Sequence, residues 1–545
     1  MQCNLFGEVE NKLLTKKKAA MIIGVCNATI NNWVKTGYLQ AHGNGCISQD
    51  SVNMFIENIS GKEKLNARAN KLQKIENNNK LICKNIEQKL NIEIFNDNIW
   101  KEYENSLSKS FRNKEGIYYT PEYIITDMFK NIEDINIVDV KSKTFLDPCC
   151  GGGNFIIQAI EKGFNEKNIY GYDTDINAVE ITKKRIFQRT GIINENIICG
   201  DFLELQNKLN LKFDYIFTNP PWGKKIPKEM KNEFSKVYQT GNSIDTSSLF
   251  FFACLQLLNK NGKLGFLLPE AFFNISTFED ARKTALRFEI ERLVDYGKPF
   301  KGLITRAQAI ILKNNTNKNS KIKCETKDHC IERSQQSFKK IPKHIFNFWA
   351  NNETAKAIEH IYSLPHITLM NNARWGLGIV TGNNNKVCKT ICEKDFVPIF
   401  RGQDITANGL KEPSLFISKD LSNCQQVAPL ELYKVKEKLI YRFISNKLIF
   451  YCDTKQNYIL NSANFLILNE TFPVSGQQLS DLFNSDFMNW IFSNIFHTHK
   501  ILRSDLELLP IHTNYFLENK KFNEEKYIDF LNIGKNKNGT YRIKK

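Results

Sequence analysis

Asn219-Pro220-Pro221-Trp222 stands directly after the strand-like run Phe213–Thr218, and these residue types suit work on an amino nitrogen. An exocyclic amine on an aromatic ring is a poor nucleophile because its lone pair is delocalised. Two acceptors that hold its two hydrogens favour a pyramidal, more reactive nitrogen. Asn219 can supply an amide oxygen. Pro220, with no N–H and a fixed φ, can present a backbone carbonyl. Trp222 adds a flat face for a ring. An Asn-Pro pair also starts ordinary turns, so the flanking elements must decide between chemistry and a bland strand end.

Those elements form a series. Phe145-Leu146-Asp147-Pro148-Cys149-Cys150-Gly151-Gly152-Gly153 reads as a strand breaking into a glycine-rich turn, followed by the helical pattern Ile156, Ile157, Ala159, Ile160. Glycines there let backbone approach a ligand closely, and an acid at the strand end can bind a positively charged amino group. Ile169–Asp173 reads as a second strand ending in an acid placed for ribose hydroxyls, and Ile197–Phe202 as a third ending in Asp201. Three strand ends with Asp147, Asp173 and Asp201, then Asn219 at a fourth, fit a doubly wound sheet with ligands along its carboxyl edge.

With these motifs in order, the chain resembles the gamma-class amino-methyltransferases that modify adenine in DNA, commonly in restriction–modification systems. The resemblance covers roughly residues 105–315. It implies S-adenosyl-L-methionine as cofactor, with Tyr119, Thr120 and Pro121 at its methionine side and Asp147, Cys149, Gly151 and Gly153 in the cofactor loop. It further implies Asp173 at the ribose, Asp201 and Phe202 at the cofactor's adenine, and Asn219 at the boundary of cofactor and target. Asn219, Pro220, Pro221 and Trp222 match the catalytic motif, and Phe300 matches an aromatic that stacks with Trp222 on the flipped-out base. Asp245 and Phe250 fit the following helix, with Ser247 in place of the aromatic often found there. The bland alternative for Phe300 is a core position.

Length and charge set the remaining bounds. A chain of 545 residues holds about three domains of ordinary size. Its 75 Lys+Arg against 58 Asp+Glu give +17, which favours an anionic partner such as double-stranded DNA. No signal segment or apolar run long enough for a membrane span is visible, so a cytoplasmic location is expected. The 14 cysteines lack metal-type spacing, as in a reducing compartment. Cys324, His329 and Cys330 lack an evident fourth ligand, and this polar stretch reads as a linker, with no metal expected.

The amino terminus carries a separate signal. Leu14–Val25 and Asn27–Lys35 read as two helices resembling a helix-turn-helix, with Gly43-Asn44-Gly45 as a wing turn and a third helix capped by Ser48–Ser51, as in MerR- or excisionase-like domains. Asn27, Thr29, Asn31 and Asn32 would face the major groove, while Ala20, Ile23, Val25, Ile30 and Trp33 form the core. The alternative is a small helical packing module. Near the other end, segments around Phe396–Ile405, Lys438–Arg442 and His499–Ile511 resemble target-recognition domains of the same enzyme class. Arg401, Tyr441, Arg442, Lys500 and Arg503 are candidate DNA contacts there, weighed against structural ion pairs.

The expected architecture is α/β: a Rossmann-like S-adenosylmethionine-dependent methyltransferase domain, doubly wound and mostly parallel, with an N-terminal winged helix-turn-helix and a C-terminal mixed α/β target-recognition domain. Expected boundaries are 1–60, a helical connector 61–104, catalytic residues 105–325, recognition residues 326–512 and a basic tail 513–545. The expected activity is site-specific transfer of methyl to N6 of a flipped-out adenine, as the modification enzyme of a restriction–modification system with a separately encoded endonuclease as possible partner. RNA or protein-glutamine N-methylation, or a DNA-binding regulator with an inactive catalytic domain, are the alternatives.

Overall fold

The computed structural model describes residues 13–23, 27–35, 39–42, 46–58, 98–107, 118, 120–132, 140–224, 226–300, 303, 305–316, 321–496 and 500–544. Gly43-Asn44-Gly45, Tyr119 and Val25 lie outside the described residues, as does most of the expected connector.

A nine-stranded sheet organises the middle of the chain. Its strands are β1 (Phe145–Asp147), β2 (Ile169–Asp173), β3 (Ile197–Cys199), β4 (Phe213–Thr218), β5 (Leu258–Pro269), β6 (Glu289–Asp295), β7 (Ala307–Lys313), β8 (Lys321–Glu325) and β9 (Cys330–Ser334). They lie in the order β9-β8-β6-β7-β5-β4-β1-β2-β3. Strands β1 to β5 pair in parallel, whereas β7 runs antiparallel to both β5 and β6. Parallel strands buried on both faces read as largely apolar runs, as β4 (FDYIFT) does, and antiparallel β7 (AQAIILK) is buried almost throughout as well.

Helices cover both faces, which is why two hydrophobic cores flank the sheet. One contains Ile124, Phe155, Ile156, Ile186 and Phe217; the other contains Phe202, Phe250, Phe251, Phe266 and Phe272. The helix Thr246–Gln256 is buried along nearly its whole length and is capped by Asp245, whose carboxylate accepts from the Ser247 N–H at 3.0 Å. The parallel register puts the C-terminal ends of β1 to β4 along one edge, where chain reversal frees backbone and side chains to face a ligand.

The polar stretch expected as a linker is instead a hairpin. β8 pairs in parallel with β6 and antiparallel with β9, so the sheet continues to Ser334 across the expected boundary at 325/326. Ile322 and Cys324 alternate inward from β8 and are fully buried, while Cys330 on β9 is exposed.

Beyond it, Ala373–Leu377, Ala463–Leu468, Lys438–Arg442 and Phe450–Asp453 form an antiparallel four-stranded sheet in that order, packed on helices Asn352–Ser363, Gly476–Asn484 and Asp486–Ile495. A second four-stranded sheet contains Phe396–Phe400 and Phe416–Ser418. Fully buried Arg282 links this region to the nine-stranded sheet's helices, donating to the carbonyls of Phe272, Ile275 and Lys343. The expected basic tail is also corrected. Residues 513–544 form two short helices and a two-stranded sheet, and bury Tyr515, Tyr527, Leu531, Ile533 and Tyr541 in the same core as Phe487 and Trp490.

At the amino terminus, helices Lys16–Ile23, Asn27–Lys35 and Gln49–Asn58 pack with a small three-stranded sheet. Ala20, Ile30 and Trp33 are buried as expected and Ile23 is partly so. Asn27 and Asn31 are exposed; the side chains of Thr29 and Asn32 lie outside the described residues. Among the described residues no helix is long and apolar enough to cross a membrane.

Candidate active site

A cavity of about 450 Å³ opens at the carboxyl edge of β1 to β4, within the range that holds a small-molecule cofactor. The glycine-rich turn after β1 forms its floor. Gly151 and Gly153 have positive φ values of 50° and 82°. A Cβ at Gly153 would meet the Thr182 side chain at 2.8 Å, so only glycine lets the loop close on the helix Ile176–Thr190. That helix braces the loop from behind. The Thr182 hydroxyl donates to the Gly151 carbonyl at 2.8 Å, and Arg185 donates to the Gly152 carbonyl and the Asn154 amide oxygen.

Asp147 ends β1 almost fully buried. One carboxylate oxygen accepts from the Thr218 hydroxyl at 2.7 Å and from the Cys149 N–H at 3.1 Å. The other is buried with no hydrogen-bond partner among the described residues. Burial, opposed by those two hydrogen bonds, pushes its pKa up to about 7. Asp173 ends β2 on the cavity wall, where its two oxygens accept from the N–H groups of Gly151 and Asp175, each at 2.9 Å. Burial is again the largest influence and raises it to about 6.

The far wall is apolar. Phe202 and Phe250 stack with centroids 5.8 Å apart and planes 20° from parallel, and Leu203 and Ile226 line the same wall. Asp201 caps the short helix Phe202–Leu205 by accepting from the Leu203 N–H at 2.9 Å. Cys149 also lines the cavity, and burial drives its thiol pKa well up, so it behaves as a compact neutral lining group.

The residues expected at the target amine meet this cavity at its edge. Asn219 and Pro221 line it. The Asn219 amide nitrogen donates to the Tyr118 carbonyl at 3.0 Å, which fixes the amide's orientation and leaves its oxygen buried without a partner among the described residues. Trp222 is partly buried, with its indole N–H donating to the Leu267 carbonyl at 3.3 Å. Phe300 is only 5% exposed and meets Trp222 edge to face, at 5.2 Å and 86°. The two rings therefore touch each other and do not form a parallel slot in this structure.

Thr120 lines the cavity and Pro121 precedes the helix Glu122–Phe129, so the expected methionine-side segment reaches the site. Asp175, Tyr103 and Lys224 are among the lining residues that the sequence did not point to. Asp175 is the N-cap of the helix after β2, a signal visible as Asp before an apolar-periodic run. Tyr103 comes from the helix Ile99–Ser106 and donates to Asp175 at 2.5 Å; Ile99, Tyr103 and Leu107 share the spacing of a buried helical face. Lys224 follows the catalytic motif by two residues, and its carbonyl accepts from the Thr246 hydroxyl at 2.7 Å.

The candidate DNA contacts fare unevenly. Tyr441 is 1% exposed and stacks on Phe450 at 5.1 Å, which makes it a core residue; its position on an inward-facing strand register overrides the polar hydroxyl that suggested a contact. Arg401 is tied to Asp404 and Ser414, and Arg442 to the Ile405 carbonyl. Lys500 is exposed, and Arg503 is exposed over the Trp375 ring while paired with Glu507.

The strand order with antiparallel β7 set between parallel β5 and β6, and a cavity along the carboxyl edge, define a methyltransferase-like α/β fold. Comparison with known proteins carries this further. Residues 91–340 match the family model N-6 DNA Methylase, and residues 397–511 match the TaqI-like C-terminal specificity domain. The Type II methyltransferase M.VspI of Vibrio sp. (strain 343) is 43% identical over 418 residues, covering 75% of this chain and all of the relative. The modification methylase CviBIII of Paramecium bursaria Chlorella virus NC1A is 26% identical over 227 residues, 41% of this chain and 56% of that one. In three dimensions the chain is similar to the Type IIL restriction-modification enzyme MmeI solved in complex with DNA, with a TM-score of 0.50 at 12% identity over 76% of this chain and 71% of that one, a likeness of fold. The chain belongs to the N-6 DNA methylase family and carries a TaqI-like specificity domain.

Proposed function

We propose that the protein transfers the methyl group of S-adenosylmethionine to N6 of an adenine extruded from double-stranded DNA, as the modification enzyme of a restriction–modification system. One observation carries the reading: the Asn219 amide is held by the Tyr118 carbonyl so that its buried oxygen has no partner among the described residues. A buried acceptor left unmade is costly, and an amine N–H satisfies it. Accepting that hydrogen, together with the Pro220 carbonyl, favours a pyramidal nitrogen. Transfer then needs position more than a strong base, and the proton lost from nitrogen passes to solvent.

The cavity residues fit the cofactor. The unpartnered Asp147 oxygen suits an ammonium group, the Asp173 end of β2 suits ribose hydroxyls, and the stacked pair Phe202–Phe250 with Asp201 suits a purine. When bound, S-adenosylmethionine supplies an electrophilic methyl group on sulfur. Trp222 offers its face to the target ring. For Phe300 to take the other side, its edge-on contact with Trp222 must open as the base enters.

We assign residues 105–325, extended by the hairpin to Ser334, to catalysis and residues 336–512 to target recognition, stabilised by residues 513–545. The amino-terminal unit is a winged helix-turn-helix in this reading, and exposed Asn27 and Asn31 present its second helix to DNA. A separately encoded endonuclease is the partner this role implies. Nucleoside mass spectrometry of duplex DNA incubated with the protein and S-adenosylmethionine tests the reaction. N6-methyladenine is the expected product, and methylcytosine, or no modified base, would overturn it.

A further inference from the structure

A second cavity, of about 370 Å³, lies in the C-terminal region, and five of its eight lining residues carry side-chain amides. No charged residue lines it. Three chain segments converge there. The loop at 381–385 turns at Gly382 (φ 77°) and is pinned on one side by paired backbone hydrogen bonds between Val380 and Gln426, at 2.8 and 3.0 Å. On the other side the Asn461 N–H donates to the Ile379 carbonyl at 3.1 Å. Within the loop the Thr381 hydroxyl donates to the Asn384 amide oxygen at 2.5 Å, so Asn384 holds the loop's shape. Asn383, Asn385, Gln425 and Asn461 are exposed and make no side-chain hydrogen bond among the described residues.

We infer that this amide-lined groove reads A·T base pairs in the major groove of the recognition sequence, with Asn383, Asn385 and Gln425 as specificity-determining residues. The inference rests on the proposed DNA methylation. A planar side-chain amide presents one donor and one acceptor side by side, which matches N7 and N6 of adenine in a bidentate pair. A phosphate would call for cationic groups, and none lines this groove. Arg401 and Arg442 are anchored beside Ser462, whose hydroxyl accepts from the Gly402 N–H at 2.8 Å, and Lys386 is exposed beside the loop. Basic groups that fix the backbone around neutral groups that read bases are the usual division of labour in DNA recognition.

The C-terminal region also contacts the domain built on the nine-stranded sheet. Asn274, just beyond the C-terminal end of β5, donates to the Phe496 carbonyl at 3.0 Å. The Ile501 N–H donates to Phe443 at 2.9 Å, and the Phe443 N–H to Ser462 at 3.0 Å, next to Asn461.

The test is single-molecule sequencing of DNA from cells expressing the full chain or its Asn383→Ala, Asn385→Ala and Gln425→Ala variants, with thermal unfolding of each purified protein. The wild type defines the methylated sequence; if it methylates nothing, the proposed reaction fails and the groove is not at issue. With wild-type methylation present, each variant is expected to unfold at the wild-type temperature. Each should lose roughly tenfold of its preference for adenine or thymine at one position of the site. An unchanged sequence preference overturns the inference, and so does an equal loss of methylation on every sequence. An Asn383→Gln variant keeps the amide and is expected to retain more discrimination than Asn383→Ala.

Discussion

Replacing Asp147 by Asn should make the ligand-free protein less sensitive to pH while weakening its hold on the cofactor. Burial lifts the Asp147 carboxyl from 3.8 to about 7, and the rise corresponds to roughly 4 kcal/mol against the ionised form. The folded state therefore binds a proton that the unfolded state has already released. Stability at this group is greatest below about pH 4, falls as pH rises and is flat above the folded value. Between about pH 5 and about pH 8 the wild type should lose about 3 kcal/mol here, and Asp173, raised to about 6, adds loss in the same direction. An Asn at 147 can keep the bonds from Thr218 and Cys149 through its oxygen, but places an NH₂ where the carboxylate oxygen has no partner. That costs about 1–3 kcal/mol independent of pH. Thermal unfolding from about pH 5 to about pH 8 should thus show a shallower decline for Asp147→Asn than for wild type. Added S-adenosylmethionine should stabilise the wild type increasingly as pH rises and the variant much less, since its ammonium group has no carboxylate to meet. Parallel pH profiles with equal cofactor stabilisation in the two proteins would refute this role for Asp147.

Asn219→Ala is expected to lower methyl transfer by at least about a hundredfold while calorimetric titration shows nearly unchanged cofactor affinity; equal loss of both would remove Asn219 from the target amine. Phe300→Ala should cost about 3–5 kcal/mol of stability, since the ring is buried against Trp222 and Tyr118. A thermal midpoint close to wild type with activity lost would instead make it a pure base-stacking residue. Removal of residues 1–60 should leave the methylated sequence unchanged in a methylome read, and a new sequence would shift target selection to the amino-terminal unit. Tyr441→Ala should destabilise the protein by about 3–5 kcal/mol and leave sequence preference per folded molecule as it was, measured by denaturation beside methylation.

The carboxyl-edge site was legible because each strand is an apolar run that stops at an acid or amide, and the parallel register then aligns Asp147, Asp173 and Asn219 without further information. Gly153 was legible for the same local reason. Tyr103 was not, because its contact with Asp175 spans 72 residues and depends on how a helix outside the sheet packs. The hairpin β8–β9 was hidden by the neighbouring run of Asn and Lys, which outweighed the short inward alternation of Ile322 and Cys324. Residues 513–545 misled in the same way: their lysines and asparagines suggest a solvated tail, whereas the widely spaced Tyr515, Tyr527 and Tyr541 carry the burial. Tyr441 shows the limit of reading contacts from side-chain type, since an amphipathic ring fits a core as readily as a phosphate.

The proposed reaction requires that Asn219 present its amide oxygen to an adenine amine within one specific DNA sequence. Single-molecule sequencing of genomic DNA from otherwise unmethylated cells expressing the wild-type chain or Asn219→Ala addresses it directly. N6-methyladenine is expected at a fixed position of one sequence with the wild type and is expected to be lost with the variant. Methylation that persists in Asn219→Ala, or that falls on another base, would contradict it.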